Sequence, residues 1–259
     1  MGDAERTLVF GHGFGTDQSC WSAQVDALRR SYRIVTLDFP GAAPHALDAF
    51  DATRHQTLFG FAEDLALLMH EIGVSHATYV GHSLGGMIGI LASNGTSGVF
   101  DSVITLGSSA RFVDEPETGY VGGFAQSVMD ELLAYVHGDY AAWANGFAPL
   151  MVGESNPHLT ALEFTKQLLK LRPDVAHCVL KAAFHADHRA DVDSFCGRLA
   201  VLNTRDDPAV PRVAAEWLAH HGGAASFVEL DASGHLPHMT APDLVTSTLW
   251  ETLRQLEDD

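Results

Sequence analysis

The sequence predicts an α/β fold: a mostly parallel sheet of about six strands, helices on its flanks, and a four-helix insertion. Three observations lead there. Short apolar runs alternate with longer segments of helical period, the pattern of strand–helix–strand crossovers. Several of these runs are apolar almost throughout, as strands buried on both faces are. One long stretch between the fourth and fifth runs carries helical patterns and no convincing strand.

Taken in order, the predicted strands are Thr7–Phe10, Arg33–Leu37, Ala77–Val80, Ser102–Leu106, Leu199–Asn203 and Ser226–Leu230. Between the second and third, Leu58, Phe61, Leu65, Leu68 and Ile72 recur at helical steps and form an apolar stripe, with Gly73 placed to cap its end. After the fourth strand, Phe124, Val128, Leu132 and Val136 mark one helix, and Tyr140, Trp143 and Phe147 a second. Asn156-Pro157 opens a third, and Pro173 stands in the first turn of a fourth. The division is therefore a core of residues 1–112 and 191–259 and a helical lid, 113–190, over the strand ends where such folds bind ligands.

Composition narrows the function. The chain has 259 residues, 46% hydrophobic and 19% charged, which suits one sizeable globular domain. With 33 acidic and 15 basic residues its formal charge is -18, which argues against nucleic acid and anionic membrane surfaces as partners. Cys20, Cys178 and Cys196 are odd in number and far apart, which argues against a disulfide framework or a thiolate zinc site. No signal peptide and no membrane-length apolar run is read, so a cytoplasmic setting is expected.

The sharpest chemical signal is Gly81-His82-Ser83-Leu84-Gly85. It follows an apolar strand and precedes the helical run Met87–Ala92, the strand–turn–helix context of a nucleophile elbow. A serine hydroxyl needs a base. His235, on a glycine-bearing loop after the last strand, is the candidate. The orienting acid belongs between Ser83 and His235 in chain order, after the fifth strand. Asp206 and Asp207 compete there; Asp207 is favoured because Pro208 holds it extended. Two backbone N–H groups should form an oxyanion hole, one from Leu84 and one from Phe14 in the loop His12-Gly13-Phe14-Gly15.

These segments, with Gly11–Trp21, Gly122-Gly123-Phe124, Trp143–Leu150 and Gly234–His238, together resemble one family. It is the α/β-hydrolase family of the plant strigolactone and karrikin receptors and the bacterial stress regulator RsbQ. The resemblance runs from about residue 8 to near the C-terminus. It implies a V-shaped four-helix lid over a deep apolar pocket and a Ser-Asp-His triad at Ser83, Asp207 and His235. Slow hydrolysis of butenolide-type esters and enol ethers is implied, as is signalling through a protein partner at the lid. Phe124, Trp143, Phe147 and Phe184 fall on pocket aromatics, and His82 and Ala209 on positions near the nucleophile and acid. Two departures stand out. Strands that the family places before the oxyanion loop have no counterpart in the six residues preceding Thr7, and Phe39–His45 lacks the usual glycine-rich loop. The expected sheet is therefore all parallel, with no N-terminal antiparallel hairpin, and its open edge suits a monomer or a weak homodimer.

The leading expectation is a serine hydrolase of a small apolar ester or lactone, needing neither metal nor organic cofactor. The competing one is a small-molecule sensor that hydrolyses slowly. His185-Ala-Asp187-His188 and His220-His221 are too sparse for a zinc site, and Asp38 is read as a loop cap.

Overall fold

A computed structural model describes residues 6–96, 98–153 and 158–258. The strands are β1 (Thr7–Gly11), β2 (Arg33–Thr36), β3 (Ala77–His82), β4 (Phe100–Leu106), β5 (Arg198–Asp206) and β6 (Ser226–Ser233). They form one sheet, all parallel, in the order β2-β1-β3-β4-β5-β6. β1 is interior, as its approach to the glycine-rich loop implied. The expectation of no preceding hairpin concerns residues 1–5, which lie outside the described residues, as does Asn156-Pro157.

The first helices are α1 (Ser22–Leu28), α2 (Leu58–Glu71) and α3 (Leu84–Gly95). Then α4 (Gln126–Gly138), α5 (Tyr140–Val152), α6 (His158–Leu168) and α7 (Pro173–Phe184) follow one another between β4 and β5. The remainder are α8 (Arg189–Asp193), α9 (Arg212–His221), α10 (Pro237–Thr240) and α11 (Pro242–Asp258).

Strand residues alternate between two buried faces, which is why the strands read as unbroken apolar runs. Val9, Tyr79, Val103 and Val201 pack under α2, α3 and α9, while Leu8, Phe10, Val80 and Leu202 pack under α1 and α11. A third cluster, including Trp143, Phe164 and Leu180, holds α4–α7 together. On α2 the buried face is Leu58, Phe61, Leu65 and Met69. Leu68 and Ile72 of the predicted stripe are 37% and 41% exposed, because the 3.6-residue turn carries them round toward solvent. Gly73 takes φ 67°, and the Val74 N–H reaches back to the Met69 carbonyl at 2.8 Å, closing the helix as predicted. On α4 the buried face is Met129, Leu133 and Val136; Val128 is exposed and Phe124 lies before the helix.

The two chain crossings between sheet and helical insertion are tied together. Arg111, beyond β4, meets Asp187, before α8, at 2.6 Å and Glu115 at 3.0 Å. Arg189 meets the same two carboxylates at 2.7 and 2.9 Å, with its guanidinium 4.9 Å above the Tyr120 ring.

Because all strands run one way, the loops after β1, β3, β5 and β6 gather on one rim. The β1–β3 junction is where the chain reverses its order across the sheet, the place where such folds bind ligands. Tyr79 on β3 underpins that junction: fully buried, its hydroxyl donates to the Gly85 carbonyl at 2.9 Å. Tyr79→Phe is expected to cost about 1 kcal/mol of stability, the net contribution of one buried hydrogen bond. A urea unfolding midpoint equal to the parent's would contradict this.

Candidate active site

Ser83 links β3 to α3 with φ 53° and ψ -125°. Among the described non-glycine residues only His76 shares its positive φ. This is a costly conformation that surrounding structure must enforce. The Ser83 N–H donates to the Leu106 carbonyl at 2.9 Å, and the Ser83 carbonyl accepts from the Gly86 N–H at 3.0 Å and Ser108 Oγ at 2.8 Å. The flanking glycines are required by contact. A Cβ on Gly85 would stand 2.3 Å from the His12 carbonyl oxygen, and one on Gly81 2.6 Å from the Gly85 carbonyl oxygen.

His235 follows β6 on Gly234, whose φ is 86°. Its Nε2 lies 2.9 Å from Ser83 Oγ, and its Nδ1 lies 2.9 and 3.0 Å from the two Asp207 oxygens. The Asp207 side chain is 1% exposed. Its Oδ1 also accepts from the N–H groups of Ala209 and Val210, at 2.8 and 3.0 Å, so it remains a carboxylate acceptor facing an Nδ1–H imidazole. Nε2 is then free to accept from the serine hydroxyl. Asp206, its competitor in the sequence, is exposed, and it is the Asp207 carboxylate that His235 Nδ1 meets. The base loop is anchored from the helical insertion as well: the His235 N–H donates to the Met151 carbonyl of α5 at 2.6 Å.

Ser83 and His235 open onto a cavity of about 260 Å³. Among the described residues they are the only polar side chains on its wall, which is otherwise built from residues such as Phe14, Leu84, Phe112, Met129, Phe164 and Leu180. Phe124, Phe147, Phe184 and Ala209 line it. Leu84 opens α3, so its N–H has no intrahelical acceptor.

Two expectations are corrected. Trp143 is not on the wall. Its indole stacks on Phe147 at 4.7 Å and Tyr140 at 5.5 Å, and so belongs to the interhelical core behind the cavity. His82 is not on the wall either. It is 1% exposed and directed behind the base, where its Nε2–H donates to the His235 carbonyl at 2.7 Å. Its ring also fills the space where a Cβ on Gly13 would lie, 2.4 Å from Nδ1, so it joins the loop after β1 to the loop after β6.

His12 does similar work: Nε2 accepts from the Phe39 N–H at 3.0 Å, leaving Nδ1–H to donate to the Gly13 carbonyl at 2.8 Å. Asp38 holds the neighbouring loop by accepting from the Gln18 backbone and side chain, each at 2.7 Å. No three His, Cys, Asp or Glu side chains converge as a metal ligand set among the described residues. No described helix is long and apolar enough to cross a membrane.

Residues 8–248 match the alpha/beta hydrolase family. The chain belongs to that family. It is 36% identical over 260 residues to a karrikin insensitive 2 receptor of Petunia hybrida, covering 100% of this chain and 94% of the relative. It is 37% identical over 256 residues to a strigolactone esterase of Pisum sativum, covering 98% and 95%. A hydrolase from Oleispira antarctica has the same fold, with a TM-score of 0.93 at 26% identity over 98% of this chain and 93% of that one.

One further imidazole, at the end of the segment Gly234–His238, had no role marked by the sequence. His238 is wedged between Trp21 and His82, with ring centroids 4.5 and 4.4 Å away. Neither of its nitrogens has a hydrogen-bond partner among the described residues. Burial, aided by His235 and His12, pushes its pKa down from 6.5 to about 3. Burial, with His238 and His235 beside it, also pushes His82 well down. The unfolded chain protonates these rings below about pH 6.5 while the folded chain does not, so stability falls as pH drops from 6.5 toward 3. His238→Phe should flatten that decline, read as the urea midpoint between pH 7 and 4. An unaltered slope would show that the acid sensitivity arises elsewhere.

Proposed function

We propose that this chain is a serine hydrolase of small, neutral, apolar esters or lactones, including butenolide-type esters and enol ethers. One arrangement carries the reading: a Ser83–His235–Asp207 hydrogen-bond chain facing an apolar cavity. Ser83 Oγ attacks the carbonyl carbon as its proton passes to His235 Nε2, and Asp207 stabilises the resulting imidazolium. The Leu84 and Phe14 N–H groups receive the oxyanion. The intermediate collapses, the leaving oxygen takes the proton from His235, and the acyl group stays on Ser83. His235 next takes a proton from water, the water oxygen attacks the acyl carbon, and the acid departs as Ser83 regains its proton. Residues 113–190 serve as the lid that keeps bulk water from this sequence of steps, over a core of 1–112 and 191–259.

A second reading is a receptor that binds such a ligand, hydrolyses it slowly and signals through a protein docked on the lid. The petunia relative, which is named a receptor, favours it. Turnover separates the two. Many cycles per minute on a butyrate ester fit the enzyme. Turnover slower than one cycle per minute, with a ligand-dependent fall in Tm, fits the receptor.

Ser83→Ala is expected to lower kcat/KM for a butyrate ester at least about a thousandfold while the circular dichroism spectrum is retained. Residual activity within tenfold of the parent would remove Ser83 as nucleophile. Asp207→Asn should lower kcat about ten-thousandfold, because an amide selects the wrong imidazole tautomer; a loss below tenfold would reassign the acid.

A further inference from the structure

Among the described residues of the cavity wall, two are exposed: Leu150 on α5, at 65%, and Pro208, directly after Asp207. The rest are buried or half-buried. Leu150 and Pro208 also line an open groove outside, between the ends of α5 and α6 and the loops after β5 and β6. The groove adjoins the cavity at these two shared side chains.

The groove differs in chemistry from the cavity. Its wall includes Asn145, Thr165 and Asp206 beside backbone of Gly153 and Gly234. Asp206 is its one ionisable side chain among the described residues. Its carboxylate is exposed and forms no ion pair among the described residues. The adjacent cation, Arg205, is engaged by Asp231 at 2.8 Å and Glu229 at 3.9 Å, so it does not offset that charge.

We propose that the groove is the subsite for the outer half of the substrate, and that Asp206 is a specificity residue there, favouring neutral or cationic outer groups over anionic ones. This rests on the hydrolase reading of the same site. An ester of the right length buries its apolar half beneath the lid and leaves the other half in the groove beside the Asp206 carboxylate. An anion placed there meets a like charge across a few ångströms of solvent, and a cation meets an opposite one. For unit charges several ångströms apart in high dielectric, each effect amounts to about threefold in affinity.

The test uses three butyrate esters of matched shape, those of 4-hydroxybenzamide, 4-hydroxybenzoate and 4-(trimethylammonio)phenol. Their Kd values are measured by calorimetry on Ser83→Ala, which does not consume them, and on Ser83→Ala with Asp206→Asn. The expected order on Ser83→Ala is ammonium tightest and benzoate weakest. Asp206→Asn should close each gap to the benzamide ester by about threefold at low salt, and 1 M NaCl should shrink the gaps on Ser83→Ala in the same way. Gaps that survive Asp206→Asn unchanged, or no measurable binding of any ester, overturn the proposal. Hydrolysis of the same esters by the parent is a separate readout. Its absence overturns the hydrolase reading, while the charge discrimination stands or falls on the Kd values. Leu150→Trp, which narrows the junction of groove and cavity, should lower kcat/KM severalfold for all three, and unchanged values would displace the entrance from Leu150.

Discussion

The backbone of Ser83 is the constraint on which the site depends. A left-handed serine between a strand and a helix costs on the order of 1–3 kcal/mol and persists only where neighbours leave no alternative. Here the neighbours are β4, whose Leu106 carbonyl takes the serine N–H, and the loop after β1, whose His12 carbonyl abuts Gly85. The glycines of the motif are therefore spacers between chain segments as much as turn formers. With Ser83 held at the start of α3, the parallel direction of β5 and β6 brings Asp207 and His235 to the same rim.

Behind the nucleophile lies a second layer made of imidazoles. His12 bridges the loops after β1 and β2, and His82 bridges β3 to the base loop. Burial keeps both in the neutral form. Under the proposed mechanism that suits their position, because a permanent cation beside His235 would oppose the positive charge that the imidazole takes up. The apolar front wall and the polar, uncharged back wall thus divide two tasks: one encloses the cavity, and the other fixes the distances among loops that have no covalent link.

The alternation of strand and helix, the elbow, and the register of Ser83, Asp207 and His235 were legible because each rests on local chain geometry. Pro208 and the end of β5 mark Asp207, and Gly234 marks the turn before His235. His82 was misread because proximity in sequence is not proximity in space. In an extended strand neighbouring side chains point to opposite sides, so the residue before the nucleophile faces away from the cavity. Trp143 failed for another reason. It shares a helix face with Phe147, and only the packing of α5 against its neighbours decides which ring meets the cavity and which meets Tyr140. Met129, Phe112 and Phe164 are cavity residues that no pattern marks, since an apolar side chain reads the same whether it faces a core or a ligand.

The ion cluster of Arg111, Glu115, Asp187 and Arg189 brings the exit from β4 and the return toward β5 to one point. β4 and β5 are themselves adjacent and hydrogen-bonded from Ser102–Arg198 to Leu106–Leu202. The whole insertion therefore hangs from a gap that is already closed, and its length adds little to the entropy of joining those two strands. A module attached in this way is exchangeable. Its helices can be lengthened, shortened or replaced by those of another chain, changing what the cavity admits without altering the register of the sheet or the geometry of Ser83, Asp207 and His235.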